Sequence, residues 1–280
     1  MALRNIAIIA HVDHGKTTLV DELLKQSGSF RENQKVAERA MDSNDLERER
    51  GITILAKCTS VEWKGTHINI VDTPGHADFG GEVERILNMV DGVIVLVDAS
   101  EGPLPQTKFV VSKALKRGLR PIVAINKIDR PDERHLDVLN EVFDLFANLD
   151  ATDEQLDFPV LYGSGRNGWM ARDPSGPQEN LAPMFDLILE HVPPPAVDDG
   201  PFRMLATTLD ADPFLGRILT GRVTSGTVKP NQALKALDRE GKMLENFRVQ
   251  KVLAFHGLER PPVESAGAGD IIALAGMRLA

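Results

Sequence analysis

Ala10-His11-Val12-Asp13-His14-Gly15-Lys16-Thr17 follows an apolar run, Ile6 to Ile9, and leads into Thr17 to Gln26, where Leu19, Leu23 and Leu24 recur at helical spacing. Strand, loop ending in Gly-Lys-Thr, helix is the setting of a phosphate-binding loop. Backbone N–H groups of such a loop, including those of Asp13, His14, Gly15 and Thr18, can point at phosphate oxygens together with the helix N-terminus. Gly15 permits close approach. Lys16 brings a positive charge to the β- and γ-phosphates, and the Thr17 hydroxyl can ligate Mg²⁺. The usual pattern opens with Gly where this chain has Ala10. A Gly-Lys-Thr triplet also begins ordinary helices, so the rest of the chain has to identify the nucleotide.

Outward from this loop, Ser27 to Arg50 is long, polar and dense in charge, and ends at Gly51-Ile52-Thr53-Ile54. A segment of that length inside a compact domain is functional or disordered. Thr53 can close over Mg²⁺ and a γ-phosphate, or can be a plain strand threonine. Two strands, Thr59 to Trp63 and His67 to Val71, surround the Lys64-Gly65 turn and lead into Asp72-Thr73-Pro74-Gly75-His76. Asp72, at a strand end, can hold Mg²⁺ through water, and Gly75 can offer its N–H to a γ-phosphate. His76 beside it can position an attacking water, the role a Gln takes in some nucleotide hydrolases.

Gly92 to Val97 is a continuous apolar run, hence a strand buried on both faces. Gln106 to Lys116 reads as an amphipathic helix. Pro121 to Ile125 is a second buried strand ending in Asn126-Lys127-Ile128-Asp129. A carboxylate at Asp129 can accept from guanine N1–H and N2–H, which adenine does not supply. Asn126 can bond the base and tie loops together, and the Lys127 stem can pack over the base. Leu136 to Phe146 is expected to be a helix with Leu139, Val142, Phe143 and Phe146 on one face. Phe158 to Tyr162 is expected as a strand running to Gly163-Ser164-Gly165, where Ser164 and Gly165 can contact guanine O6. Leu181 to His191 is a final helix.

Alternating strands and helices predict an α/β domain with a mainly parallel sheet covered on both faces by helices. Every proposed ligand group then lies at the C-terminal end of a strand, where such sheets bind ligands. Val192-Pro-Pro-Pro-Ala-Val-Asp-Asp-Gly-Pro201 is a stiff, helix-free linker. Beyond it, Met204 to Leu209, Gly216 to Thr224, Ala233 to Leu237, Phe247 to Leu253 and Asp270 to Leu274 are short strand-like runs, the pattern of a small antiparallel barrel. The predicted division is 1–195, linker 196–201, and barrel 202–280.

The chain has 280 residues, 42% hydrophobic and 26% charged, the composition of a soluble globular protein. It contains no apolar run of about 18 residues, and no signal peptide is legible. One cysteine, Cys58, excludes an internal disulfide and favours a reducing, cytoplasmic setting. The net charge is −9. The first 200 residues carry 21 Lys+Arg against 33 Asp+Glu, and the last 80 carry 11 against 8. The acidic part argues against indiscriminate nucleic-acid binding; the mildly basic part can touch RNA phosphates or be plain solvated surface.

The ordered set AHVDHGKTT, RGITI, DTPGHADF and NKID resembles the translational GTPases, and the linker with the following barrel resembles their second domain. MDSNDLERERGITILAK, DTPGHADFGGEVERILNMVDGV and ATDEQLDFPVLYGS resemble one subfamily, the BipA (TypA) GTPases. Ala10 is shared by elongation factor G-like members, while Ser164-Gly165 departs from the usual Ser-Ala. Members of the subfamily are about twice this length, so the chain is expected to be part of a longer protein.

The resemblance implies GTP and GDP binding with Mg²⁺, slow hydrolysis stimulated by the 70S or 50S ribosome, contacts with rRNA and A-site tRNA, and a monomeric protein acting in large-subunit assembly or translation under stress. It implies that Val12 and Ile52 form a hydrophobic gate holding His76 away from the water, and that Asp13 helps to hold a monovalent cation. Two further readings are a GTP-gated binding module with little turnover and an elongation factor G- or LepA-like translocation factor. A P-loop kinase or ATPase would require the Asn126-Lys127-Ile128-Asp129 motif to be accidental.

Overall fold

A computed structural model of the chain describes residues 2–28, 57–73 and 80–278. It divides into two compact units, Met1–Pro194 and Pro195–Ala280.

The first unit runs β1 (Ala2–Ala10), α1 (Lys16–Gln26), β2 (Lys57–Trp63), β3 (Thr66–Asp72), α2 (Gly80–Leu87), β4 (Gly92–Asp98), α3 (Pro105–Lys116), β5 (Arg120–Asn126), α4 (His135–Asn148), α5 (Asp153–Leu156), β6 (Val160–Ser164), β7 (Trp169–Ala171) and α6 (Ala182–His191). Its strands form one sheet in the order β2-β3-β1-β4-β5-β6-β7. The five strands β3, β1, β4, β5 and β6 are mutually parallel, while β2 and β7 are antiparallel edges. Apolar runs at β1, β4 and β5 produce this arrangement because a parallel strand covered on both faces has no solvated side. Alternate residues then serve opposite faces. Ile6, Ile8, Ile94, Leu96, Ile122 and Ala124 pack with Leu19, Leu23 and Leu24 of α1 and Phe185 and Ile188 of α6. On the other face α3 contacts β1 and α4 contacts β5.

The register places the strand ends together. Ile8 pairs with Asp72, and Asp98, Asn126 and Gly163 form one row across β4, β5 and β6. The order of strands reverses around β1, and the loop after β1 therefore opens at the switch point of the sheet.

Three details differ from the expectation. On α4 the buried face is Val138, Val142, Leu145 and Phe146, an i, i+4, i+7, i+8 stripe, whereas Phe143 is 45% exposed. Phe143 follows Val142 by about 100° of helical rotation and so turns off the stripe. The strand expected at Phe158 begins at Val160, and Phe158 instead packs edge-on against Phe146. Helix α2, the short helix α5 and strand β7 are additions to the expected elements. α5 starts with a capping box between Thr152 and Gln155, and the same Gln155 side chain donates to the Leu115 and Leu119 carbonyls, 3.0 and 3.1 Å away, at the end of α3.

The second unit contains β8 (Arg203–Asp212), β9 (Gly216–Ser225), β10 (Thr227–Val228), β11 (Ala233–Leu237), β12 (Met243–Arg248), β13 (Lys251–Leu253), β14 (Pro262–Val263), β15 (Ala266–Gly267) and β16 (Ile271–Ala275). A five-stranded antiparallel sheet, β14-β13-β16-β9-β8, joins the pairs β10-β15 and β11-β12 in making the small β unit. Its core includes Val223, Val228, Val249, Val252, Ile272 and Leu274. The single strand expected over Phe247–Leu253 is two. Arg248 pairs with Ala233 on β11, but Lys251 pairs with Ala275 on β16, so the chain changes partner at Val249 and Gln250. Among the described residues no helix is long and apolar enough to cross a membrane.

Candidate functional site

The loop after β1 has two residues in the left-handed region, Asp13 (φ 66°) and Gly15 (φ 91°). Gly15 is the N-cap of α1 and the helix has no side-chain cap, so its first N–H groups face the loop. A Cβ at Gly15 would stand 2.6 Å from Asn126 Nδ2. Only a glycine satisfies both the dihedral and the space at this position.

Lys16 is buried at the start of α1. Its Nζ lies 2.8 Å from Asp72 Oδ1 at the end of β3 and also donates to the Thr73 carbonyl. Thr73 Oγ1 donates to the Ile8 carbonyl at 2.7 Å, fastening the end of β3 to β1. Thr17 is half-buried and Thr18 exposed in the same first turn, while Val12 is half-buried and Asp13 exposed in the loop.

Asn126 closes β5 and joins three loops. Its Nδ2 donates to the His14 carbonyl at 2.8 Å, and its Oδ1 accepts from the Gly165 N–H at 2.7 Å. Lys127 (φ 67°) extends back along the phosphate-type loop; its Nζ donates to the Asp13 carbonyl at 2.6 Å and lies 2.6 Å from Asp98 Oδ2. Ile128 N–H donates to the Gly163 carbonyl, which holds the two neighbouring loops in step. Asp129 Oδ2 accepts from Asn167 Nδ2 at 3.1 Å, and buried Ser164 Oγ accepts from the Asn167 N–H. A Cβ at Gly165 would have ordinary contacts of 3.4 Å to Asn126 Oδ1 and 3.5 Å to Leu19 Cβ, so the departure from Ser-Ala leaves the loop geometry open to either residue.

Asp13, His14, Gly15, Lys16, Thr17, Thr18, Asp72, Asn126, Lys127, Asp129, Ser164 and Gly165 thus lie on four loops at one edge of the sheet. Ile52, Thr53, Gly75 and His76 lie outside the described residues.

Sequence reading passed over Asp98 and Glu101. Buried His14 accepts from the Asp98 N–H at Nδ1 and donates from Nε2 to Glu101, 3.2 Å away. Burial holds the His14 imidazole below its ordinary value; the Asp98 and Glu101 charges oppose this without overcoming it. The ring is neutral at physiological pH and its proton is on Nε2. For the buried Asp98 carboxyl, burial acts upward, but hydrogen bonds from Lys127 and Ser100 and the Lys127 charge outweigh it and bring the pKa to about 2. The signal was available: Asp98 ends an apolar strand just as Asp72 does.

The donor set fits a nucleotide with its cation. A lysine, a threonine hydroxyl at a helix N-terminus, a carboxylate at the adjacent strand end and a glycine cradle are the groups that polyphosphate and Mg²⁺ require, since Mg²⁺ takes few protein ligands and keeps phosphate and water around it.

Residues 1–194 match the family model of the elongation factor Tu GTP binding domain. The chain belongs to that family. Residues 216–278 match elongation factor Tu domain 2. Large ribosomal subunit assembly factor BipA of Escherichia coli strain K12 is 58% identical over 276 residues, which cover 98% of this chain and 45% of that protein. The proteins of the same name from Bacillus subtilis and Synechocystis are 56% and 55% identical over 277 residues, covering 45% and 46% of their lengths. The chain therefore spans about half the length of the curated relatives it matches. Among solved structures, the bacterial selenocysteine-specific elongation factor EF-Sec superposes with a TM-score of 0.73 at 25% identity, covering 98% of this chain and 42% of that one. A protein from Thermus thermophilus does so with the same TM-score at 21% identity, covering 98% of this chain and 52% of that one, which speaks for the fold alone. As a member of this GTP-binding family, the chain has the expected fold class, a mainly parallel α/β GTPase domain followed by a small β unit.

Proposed function

We propose that this chain is the nucleotide-binding part of a cytoplasmic, ribosome-associated GTPase that hydrolyses GTP to GDP and phosphate and acts in assembly of the large ribosomal subunit. The observation that carries this reading is the convergence of the Lys16–Asp72 pair and the Asn126 bridge on one sheet edge, in a chain 55–58% identical to proteins named for large-subunit assembly. Contacts with rRNA and A-site tRNA, and action as a monomer, belong to the same proposal, as does the division into 1–195, 196–201 and 202–280.

In this reading Asp129 accepts from guanine N1–H and N2–H, Lys127 packs along the base, and Ser164 and Gly165 border its O6 edge. The N–H groups of Asp13 to Thr18 hold the phosphates. Lys16 brings its charge to the β- and γ-phosphate oxygens, and Asp72 would hold Mg²⁺ through water. Thr17 and Thr53 would hold Mg²⁺, and Asp13 would help to hold a monovalent cation. Mg²⁺ supplies charge neutralisation at the β- and γ-oxygens. Gly75 senses the γ-phosphate, and His76 orients the water when Val12 and Ile52 part.

An unassisted GTPase of this kind turns over at about 10⁻⁴ s⁻¹, and an activating partner adds about 10⁵-fold. That factor is about 7 kcal/mol of barrier. Phosphate release from GTP is measured with and without 50S subunits and 70S ribosomes, alongside GTP binding. Stimulation by orders of magnitude that is lost in His76→Ala, with GTP binding retained, is the expected result. Tight binding without stimulation supports a binding module instead.

A further inference from the structure

Asp98 is fully buried at the end of β4, and nothing in the proposed hydrolysis uses it. Its carboxylate is nevertheless held from several directions. Oδ1 accepts from the Ser100 N–H and Oγ, both at 2.8 Å, and Oδ2 faces Lys127 Nζ at 2.6 Å with Arg130 Nη1 at 3.9 Å. The turn that carries it is itself braced. Ala99 N–H donates to the Asn126 carbonyl at 2.8 Å, and Arg134 Nε donates to the Ser100 carbonyl at 2.8 Å. Gly102 (φ 75°) closes the turn where any Cβ would run into Glu141, which itself pairs with Arg134.

Lysine has a long stem with several free rotors, and immobilising it on binding costs affinity. Here the Lys127 ammonium is pinned at two points, the Asp98 carboxylate and the Asp13 carbonyl, so its stem is laid between Asn126 and the Gly15 loop by contacts within the protein. The Asp98 N–H also orients His14, whose carbonyl Asn126 holds. One residue therefore braces the base-reading loop through its side chain and the phosphate-type loop through its backbone.

We infer that Asp98 is a positioning residue for guanine-nucleotide binding, setting affinity by fixing Lys127 without touching the ligand. This rests on the guanine-binding reading above.

The test uses the full 280-residue chain and a fluorescent N-methylanthraniloyl GDP, comparing wild type, Asp98→Asn, Lys127→Met and the double variant, each checked for folding by circular dichroism and thermal melting. Ser100→Ala, which removes one of the hydrogen bonds to Oδ1 and keeps the charge, is the milder variant if Asp98→Asn does not fold. Asp98→Asn is expected to weaken binding about tenfold, Ser100→Ala about twofold, and either loss is expected to disappear in the Lys127→Met background. Unchanged affinity in both variants, or an equal loss with and without Lys127, overturns the positioning role, because a residue acting only on stability adds its effect in either background. Wild-type protein that does not bind the probe overturns the guanine-binding reading itself, and the positioning role with it.

Discussion

Gly15 and Gly165 border the same side chain, Asn126, yet they are not equivalent. A methyl group on Gly15 meets Asn126 Nδ2 at 2.6 Å in a left-handed conformation, whereas on Gly165 it meets Asn126 Oδ1 at 3.4 Å in an ordinary one. Gly15→Ala is expected to cost about 1–3 kcal/mol and to weaken nucleotide binding more than about tenfold. Gly165→Ala is expected to stay within about 0.5 kcal/mol and to keep its affinity. Paired urea melts and GDP titrations check both. Asp129→Asn is expected to exchange guanine preference for xanthine, read by competition between GDP and XDP; undiminished GDP affinity would remove Asp129 from base reading.

The two shifted groups at the site titrate in different windows. The fold depresses His14 below 6.5 through burial, so the unfolded chain takes up that proton first and stability declines as pH falls below about 6.5. The Asp98 contribution is complete above its ordinary 3.8 and is lost as pH falls toward about 2. Thermal melts from pH 8 to pH 3 are expected to show a shallower decline as pH falls below 6.5 in His14→Gln and a shallower decline below about pH 4 in Asp98→Asn.

At the scale of elements, apolar runs located β1, β4 and β5 because a parallel strand buried on both faces has few polar positions to confuse the reading. Helix α4 was legible as a helix, but only Val142 and Phe146 of its expected inward face are on the buried one. Leu136, Leu139 and Phe143 also recur at intervals of three and four, and only packing separates them from the buried Val138, Val142, Leu145 and Phe146. Phe146→Ala is expected to cost about 3–5 kcal/mol, and Phe143→Ala less than about 0.5 kcal/mol, by chemical denaturation. The chain's change of partner at Val249 was invisible for a related reason: Phe247 to Leu253 is apolar enough to read as one strand, and the break is dictated by the separate partners of β12 and β13. β7 spans three residues, too short for any period to show.

At the scale of the whole molecule, the units Met1–Pro194 and Pro195–Ala280 each bury a core of their own. All the described candidate nucleotide contacts belong to the first. A protein ending at Pro194 is therefore expected to bind GDP within about threefold of the full chain, an energetic difference below about 0.7 kcal/mol, as measured by equilibrium titration. A larger loss would assign part of the binding energy to the second unit. By itself the amino-acid order determined the α/β class, the strand ends and the residue types suited to phosphate and guanine, because periodicity and loop chemistry are local. Tertiary structure alone decided which loops Asn126 would join, that Asp98 would hold Lys127, and that Lys16 would face Asp72. Those contacts join residues 29 to 112 positions apart, and only the register of parallel strands brings them within hydrogen-bonding distance.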